Sequence, residues 1–370
     1  GKVMQKKSRF LTGLLSAVMA LTLFALPATA EGNADIVSTI DTGRKGSLTI
    51  EKYEGDTVAN DKLLNGVKFE IYKVASIDQT TQNGVIETKI TPVQALTEEK
   101  SDISIDFDTK YSTISTTVDA AIKDGKLTPV ETKTTGTDTD IQNATGKVKF
   151  VNLDVGIYLV VEADAPAQIV NKSANFLVSI PMVNTKRTGW DYEITAQPKN
   201  TAVYGGITLY KYGKTAGDTD KSTALSGAKF ILQQQGTNNN WSKVTDFSKL
   251  KINNSKDTTA ENGVLTTNAE GMINIQGLAP GTYRFVEYSA PSEYITDGKT
   301  VYTFTIASDA NGTTSAPAGA SYWVAGTEDV PGHIEVVNEK PDLTKQVKTS
   351  TETFGKASDY KMGDTVTWKV

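Results

Sequence analysis

The chain states one pattern twice. GSLTIEKY (46–53) recurs as GITLYKY (206–212), and LNGVKFEIYK (64–73) recurs as LSGAKFILQQ (225–234). GKVKFVNLDVGIYLVVEADAP (146–166) recurs as GMINIQGLAPGTYRFVEYSAP (271–291), with Gly, Tyr, Val, Glu, Ala and Pro in register. Each copy closes on an extended segment, WDYEITAQPKN (190–200) or HIEVVNEKP (333–341). Copies of about 140 to 155 residues are far longer than solenoid repeats and read as tandem domains.

Within each copy, short runs rich in Val, Ile, Thr, Tyr and Phe are broken by Gly, Asn, Asp and Pro. That pattern predicts an all-β fold of tandem immunoglobulin-like sandwiches, with two apolar sheet faces forming each core. The expected order is a signal peptide over 1–30, an N-terminal extension over 31–45, a first domain over 46–201 and a second over 202–341. A third β-sandwich domain, incomplete, begins at 342, with GDTVTWKV (363–370) as one of its strands. The first copy carries an insertion over 92–140. Its TTVDAAIKDGKL (116–127) predicts a short helix with Gly125 near its end, and the Thr/Asp-rich 132–140 predicts a solvated loop. The linkers 200–205 and 339–344 are short, and Pro341 favours a stiff, elongated string of domains.

Lys2, Lys6, Lys7 and Arg9 precede an apolar run from Phe10 to Leu26, and Ala28-Thr29-Ala30 supplies small residues for cleavage. This is the layout of an export leader, with Met4 as its start, and it predicts a secreted, surface-held chain with no membrane span once processed. An exported chain would ordinarily use disulfides, yet this one has no Cys. Absence of Cys and a single His (His333) remove thiolate chemistry, zinc fingers and His-dependent triads from domains without His. His333 lies out of phase with Ile334 and Val336, which predicts a solvated side chain. The sequence holds 38 basic and 43 acidic residues. Without the leader's four basic residues, 34 face 43, a net charge of about −9 that argues against nucleic acid or anionic lipid as partners. No EF-hand spacing is present, and neither metal nor cofactor is expected.

A strand has a side-chain period of two, so phase assigns each residue to a face. Lys52 shares its face with Leu48 and Ile50, and Glu162 with Tyr158 and Val160. In the second copy Lys211 lies in phase with Ile207 and Leu209, Glu287 with Tyr283 and Phe285, and Asn338 with Ile334 and Val336. In WDYEITAQPKN, Trp190, Tyr192, Ile194, Ala196, Pro198 and Asn200 share one face, while Asp191, Glu193, Thr195, Gln197 and Lys199 point the other way. Buried Lys and Glu need a reason, because stripping their charge of water is costly. Desolvation favours a neutral Lys, a nucleophile, and a protonated Glu, which can polarise an amide and shuttle protons. Held together, the amine can attack the Asn side-chain carbon and expel ammonia, leaving a Lys–Asn isopeptide bond. The alternative is a Lys that snorkels to solvent at a strand end and pairs with Glu in an ordinary salt bridge.

These segments resemble the Cna B-type domains of sortase-assembled pilus backbone subunits of Gram-positive bacteria. YLVVEADAP around Glu162 and YRFVEYSAP around Glu287 are similar to that family's E-box, and WDYEITAQPKN is similar to its pilin motif. The resemblance implies that Lys199 is the acceptor joined by a class C-type pilin sortase to the sorting motif of the next subunit. It implies internal bonds Lys211–Asn338, with Glu287 as catalyst, and Lys52–Asn200, with Glu162; Asn184 competes with Asn200, and Lys345 is a candidate bond lysine of the third domain. The implied function is structural: the shaft of a covalent cell-wall pilus (fimbrium), with identical subunits, minor pilins and host surface receptors as partners. It implies no enzyme beyond single-turnover bond formation. The alternatives are a wall-anchored, non-polymerising adhesin for host matrix or glycans, and a secreted glycosidase with a carboxylate pair, for which no pair stands out.

Overall fold

The computed structural model describes residues 39–184, 186, 189–220, 223–252 and 263–341, with short strands at 21–25, 346–348, 354–355 and 367–369. The chain divides into two units, Gly1–Ala202 and Val203–Val370. In the first, the strands are β1 (Leu21–Ala25), β2 (Gly46–Glu51), β3 (Tyr53–Glu54), β4 (Lys68–Gln82), β5 (Val85–Pro92) and β6 (Glu131–Thr134), followed by β7 (Lys147–Leu153), β8 (Gly156–Asp164), β9 (Phe176–Ile180), β10 (Met182–Val183), β11 (Trp190–Asp191) and β12 (Glu193–Asn200). One sheet runs β1-β12-β2-β7, with β3 also on β12, and the facing sheet runs β5-β4-β8-β9, with β6 on β4. Alternating residues of the first sheet (Leu48, Ile50, Val148, Phe150, Ile194) meet those of the second (Phe69, Ile71, Tyr158, Val160, Val178) in one buried core.

The back of β4 and β8 is covered too. Helices α1 (Gln94–Glu99) and α2 (Tyr111–Lys123) bury Leu96, Ile114, Val118 and Ala121 against Tyr72, Val74, Ile157 and Leu159. These two strands are therefore apolar on both faces, as strands between two covering layers must be. The helix expected over 116–127 begins earlier, at Tyr111, because Ile114 continues the apolar stripe with Val118 and Ala121. It stops before Gly125, whose φ of 71° only glycine adopts at low cost. The expected loop over 132–140 is partly a strand: β6 pairs with β4 from Lys68↔Thr134 to Ile71↔Glu131. Lys133 then gathers Asp138 at 2.9 Å and Asp140 at 2.5 Å, which fixes the turn that the charged composition alone had placed in solvent. A second departure concerns the leader. Leu21–Ala25 lies as β1 along the outer edge of β12, antiparallel, with Leu21 opposite Pro198 and Ala25 opposite Ile194.

The second unit repeats the design with β13 (Gly205–Thr215), β14 (Thr223–Ala224), β15 (Lys229–Gln235), β16 (Trp241–Lys243), β17 (Lys251–Ile252), β18 (Val264–Thr266) and β19 (Met272–Leu278), then β20 (Gly281–Ser289), β21 (Val301–Ile306), β22 (Thr314–Ser315), β23 (Trp323–Val324) and β24 (His333–Lys340). Its sheets run β17-β19-β13-β24-β23 and β16-β15-β20-β21-β22. Ile207, Leu209, Ile273, Ile334 and Val336 pack on Phe230, Leu232, Phe285 and Phe304 between them. Strands β25 (Gln346–Lys348), β26 (Phe354–Gly355) and β27 (Thr367–Lys369) form a separate three-stranded sheet.

In both units the first long strand and the last one are parallel neighbours: β2 with β12, and β13 with β24. A parallel pair needs a long crossover, and here the whole intervening domain provides it. Any bond between these two strands therefore closes nearly the entire unit.

Candidate functional site

Lys52 follows β2 and continues the inward phase of Leu48 and Ile50, so its side chain enters the first core and is 0% exposed. Asn200 ends β12 on the same face, 4% exposed, and Glu162 reaches in from β8 of the facing sheet, 5% exposed. The three meet. Lys52 Nζ donates to Glu162 Oε2 at 3.0 Å and to the amide oxygen of Asn200. Asn200 Nδ2 donates to the Asn171 carbonyl at 2.5 Å, which aims the amide oxygen at the amine. Burial pushes the Lys52 amine below its ordinary range, and the charge of Glu162 opposes that shift.

Sequence phase did not anticipate a fourth member, Ser173. It lies in the segment before β9, is 6% exposed, and donates its backbone N–H to Glu162 Oε2 at 2.8 Å. Its Oγ accepts from Lys52 Nζ at 2.9 Å and donates to Asn200 Oδ1 at 2.5 Å. No strand period reaches this residue, and the only signal was its place shortly after the Glu-x-x-Ala-Pro turn of β8. Glu162 Oε1 is buried without a hydrogen-bond partner among the described residues.

The second unit assembles the same three residue types with different bonds. Lys211, 0% exposed, pairs in register with Val336 of β24, so Asn338 lies two residues further on the same face. Asn338 Nδ2 donates to Glu287 Oε1 at 2.7 Å. Lys211 Nζ donates to the carbonyls of Tyr212 at 2.9 Å and Val336 at 3.4 Å. Burial lowers its pKa to about 8, against the pull of Glu287. A cavity of about 540 Å³ borders this pair and is lined by Ile295, Asp297, Thr300 and Tyr302 as well as Glu287 and Asn338.

The competing Asn184 is not at either cluster; its backbone N–H bonds to the Gly189 carbonyl beyond β10. Lys345 lies outside the described residues. The exposed face expected for Lys199 needs correction. Lys199 pairs in register with Tyr53 of β3 and is only 8% exposed, and Asp191 and Thr195 of the same phase are 3% exposed. Phase keeps it off the core-facing side, but its register neighbour Tyr53 is itself buried, with a hydroxyl that shares Glu51 Oε2 with Gln197. His333 is likewise half-buried rather than solvated, 3.2 Å from Glu335 Oε1 and edge-on to Tyr210. Among the described residues no group of three or more His, Asp or Glu could hold a metal, and no helix is long and apolar enough to cross a membrane.

Each of the two sandwiches thus buries a Lys, a Glu and an Asn, the Lys on or just after its first long strand and the Asn on the parallel last one. Residues 28–201 match the family of the Gram-positive pilin subunit D1, N-terminal domain, and residues 210–319 match the SpaA family, a prealbumin-like fold domain. The first unit is thus similar to a Gram-positive pilin domain, and the second to a prealbumin-like fold domain. It is 28% identical over 261 residues to a fimbrial subunit type 2 of Actinomyces naeslundii, covering 66% of this chain and 43% of that protein. A fimbrial subunit type 1 of Actinomyces viscosus is 29% identical over 192 residues, covering 50% of this chain and 31% of that protein. The chain thus spans less than half the length of these curated relatives. Among solved structures, the shaft pilin spaA from Lactobacillus rhamnosus GG aligns at 16% identity with a TM-score of 0.36, covering 81% of this chain and 100% of that one.

Proposed function

We propose that the chain is a structural subunit of a covalently polymerised cell-surface pilus, stiffened by an isopeptide bond in each of its two described units. The observation that carries this reading is the buried Lys–Glu–Asn cluster found twice between parallel first and last strands. A buried lysine costs several kcal/mol if it stays charged, so two of them, each in a core that also buries a Glu and an Asn, call for a chemical role. In each unit the neutral amine attacks the Asn side-chain carbon, Glu162 or Glu287 moves the protons, and ammonia leaves. Approach at contact distance within a rigid core supplies most of the activation, on the order of 7–11 kcal/mol for well-oriented groups. The reaction occurs once per bond, so the chain is a product of its own chemistry and turns over no external substrate.

Intact mass of the full chain is the test. The proposal expects two ammonias fewer than the sequence requires, and Glu287→Ala to restore one of them. A mass equal to the unmodified sequence would falsify it.

Polymerisation rests on Lys199, whose place in the last strand of the D1 unit supports the role of acceptor for a class C-type sortase and a neighbouring subunit's sorting motif. Cleavage after Ala30 would remove β1 and leave β12 as an edge strand beside Lys199. An open edge can take an extended peptide by strand addition. The separate sheet over 346–369 supports a third domain beginning at 342. In wall extracts of the native host, boiling detergent should leave a ladder of high-mass species that collapses to monomer in Lys199→Ala. A single band in both strains would instead favour a wall-anchored adhesin.

A further inference from the structure

We infer that Ser173 is a catalytic residue of the first unit's bond-forming cluster, a hydroxyl relay that the second unit lacks. The inference rests on the isopeptide reading of Lys52, Glu162 and Asn200. Its basis is placement: Ser173 Oγ touches both reacting groups, accepting from the nucleophile Lys52 Nζ at 2.9 Å and donating to the electrophile's oxygen, Asn200 Oδ1, at 2.5 Å. The backbone fixes it there, because Ser173 N–H is bonded to Glu162 Oε2 at 2.8 Å and the Asn171 carbonyl two residues earlier holds Asn200 Nδ2. A donor aimed at the oxygen where negative charge develops is the usual means of stabilising attack on an amide.

The steps balance. The Lys52 lone pair forms the N–Cγ bond as the carbonyl electrons move onto Asn200 Oδ1. Ser173 gives its hydroxyl proton to that oxygen and takes one from Lys52 Nζ, so the hydroxyl is restored and the tetrahedral adduct is neutral. As the carbonyl re-forms, Glu162 gives its proton to Nδ2 and takes up the one that leaves Oδ1, so the carboxyl is restored. The Cγ–Nδ2 bond breaks and ammonia departs with no net gain or loss of protons.

The second unit is the built-in comparison. Lys211 donates there to two backbone carbonyls, Asn338 donates to Glu287, and among the described residues no side-chain hydroxyl bonds either reacting group. Its carboxyl–amide pair borders a cavity instead. Ser173 should therefore matter for one bond only.

The experiment samples freshly expressed full chain over time and quantifies the two cross-linked peptides, Lys52–Asn200 and Lys211–Asn338, by mass spectrometry. Ser173→Ala should slow the first link on the order of 100-fold, the usual cost of removing one such donor, and leave the second at the wild-type rate. Ser173→Thr, which keeps the hydroxyl, should restore the rate, whereas Ser173→Cys, near in size but a weak donor, should not. The Thr and Cys pair decides the matter if the Ala variant fails to fold. A wild-type rate in Ser173→Ala or Ser173→Cys overturns the inference, as does failure of Ser173→Thr to exceed Ser173→Cys. If the wild-type chain never shows the Lys52–Asn200 peptide, the parent reading of the first unit fails and the role of Ser173 falls with it.

Discussion

An amine attacks an amide only when unprotonated, so the two lysines are best understood through what their surroundings do to the proton. Burial lowers both, and each is opposed by its glutamate. For Lys211 the result is a pKa of about 8 against an ordinary 10.5. The rate of Lys211–Asn338 bond formation should therefore rise with pH and reach half its plateau near pH 8, measured by quantifying the linked peptide in newly made chain. A flat profile between pH 6 and 9 would remove Lys211 as the titrating nucleophile. The same group sets a stability trend in Asn338→Ala, where the lysine stays free. A folded-state pKa below the unfolded one means that the unfolded chain binds more protons between pH 8 and 10.5, so stability rises across that window, by about 3 kcal/mol in all. The buried tyrosines act in the opposite sense. Tyr283 is pushed from 10.0 to about 12 by burial, so its contribution is present below pH 10 and is lost as pH climbs toward 12. Thermal melts of Asn338→Ala should peak near pH 10; a maximum at neutral pH would contradict the buried, neutral lysine.

At the scale of elements, the register between first and last strands is what makes each cluster, and glycine makes the register in the first unit. A Cβ on Gly46 would lie 2.4 Å from Ile180 Cγ2 and 2.5 Å from the Tyr192 carbonyl. That carbonyl is tied to Ser47 N–H at 2.9 Å, so it cannot retreat without losing the pairing of β2 with the last strand. Gly46→Ala should cost about 1–3 kcal/mol in urea denaturation of an Asn200→Ala background, and should slow the Lys52–Asn200 link when Asn200 is present. Gly43→Ala is the control, since its Cβ would meet only Asp41 Oδ1 at 3.5 Å. Much of this level was legible beforehand. In a sandwich the period of two places every second residue in the core, and it put Lys52, Glu162, Asn200 and their three counterparts on the inner faces where the structure has them. Phase fails where a second layer covers the outer face. Helices α1 and α2 make β4 and β8 apolar on both sides, and Lys199 is only 8% exposed beside the likewise buried Tyr53, so outward did not mean exposed. Ser173 was illegible for a different reason: it lies off the strands, and a lone Ser in a polar segment carries no periodic signal.

For the whole molecule, the two bonds would convert sandwiches that hydrogen bonds hold into loops that covalent bonds close. Lys52 and Asn200 are 148 residues apart, and closing a loop of that length stabilises a fold by about 5 kcal/mol in the chain-entropy account. Force makes the larger difference. Tension entering the first unit before β2 and leaving after β12 crosses the molecule between neighbouring strands, so a Lys52–Asn200 bond carries it directly and leaves the intervening chain unloaded. Without that bond the parallel pair β2–β12 must hold by its hydrogen bonds alone, and once it gives way the whole intervening chain extends. Single-molecule pulling on Asn200→Ala should therefore release about 500 Å of contour length from the first unit, 148 residues at roughly 3.4 Å each. The wild-type unit should release none of it before the handles detach. Equal extension in both chains would mean that no covalent bond joins the two strands. The mechanical role would then pass to packing alone.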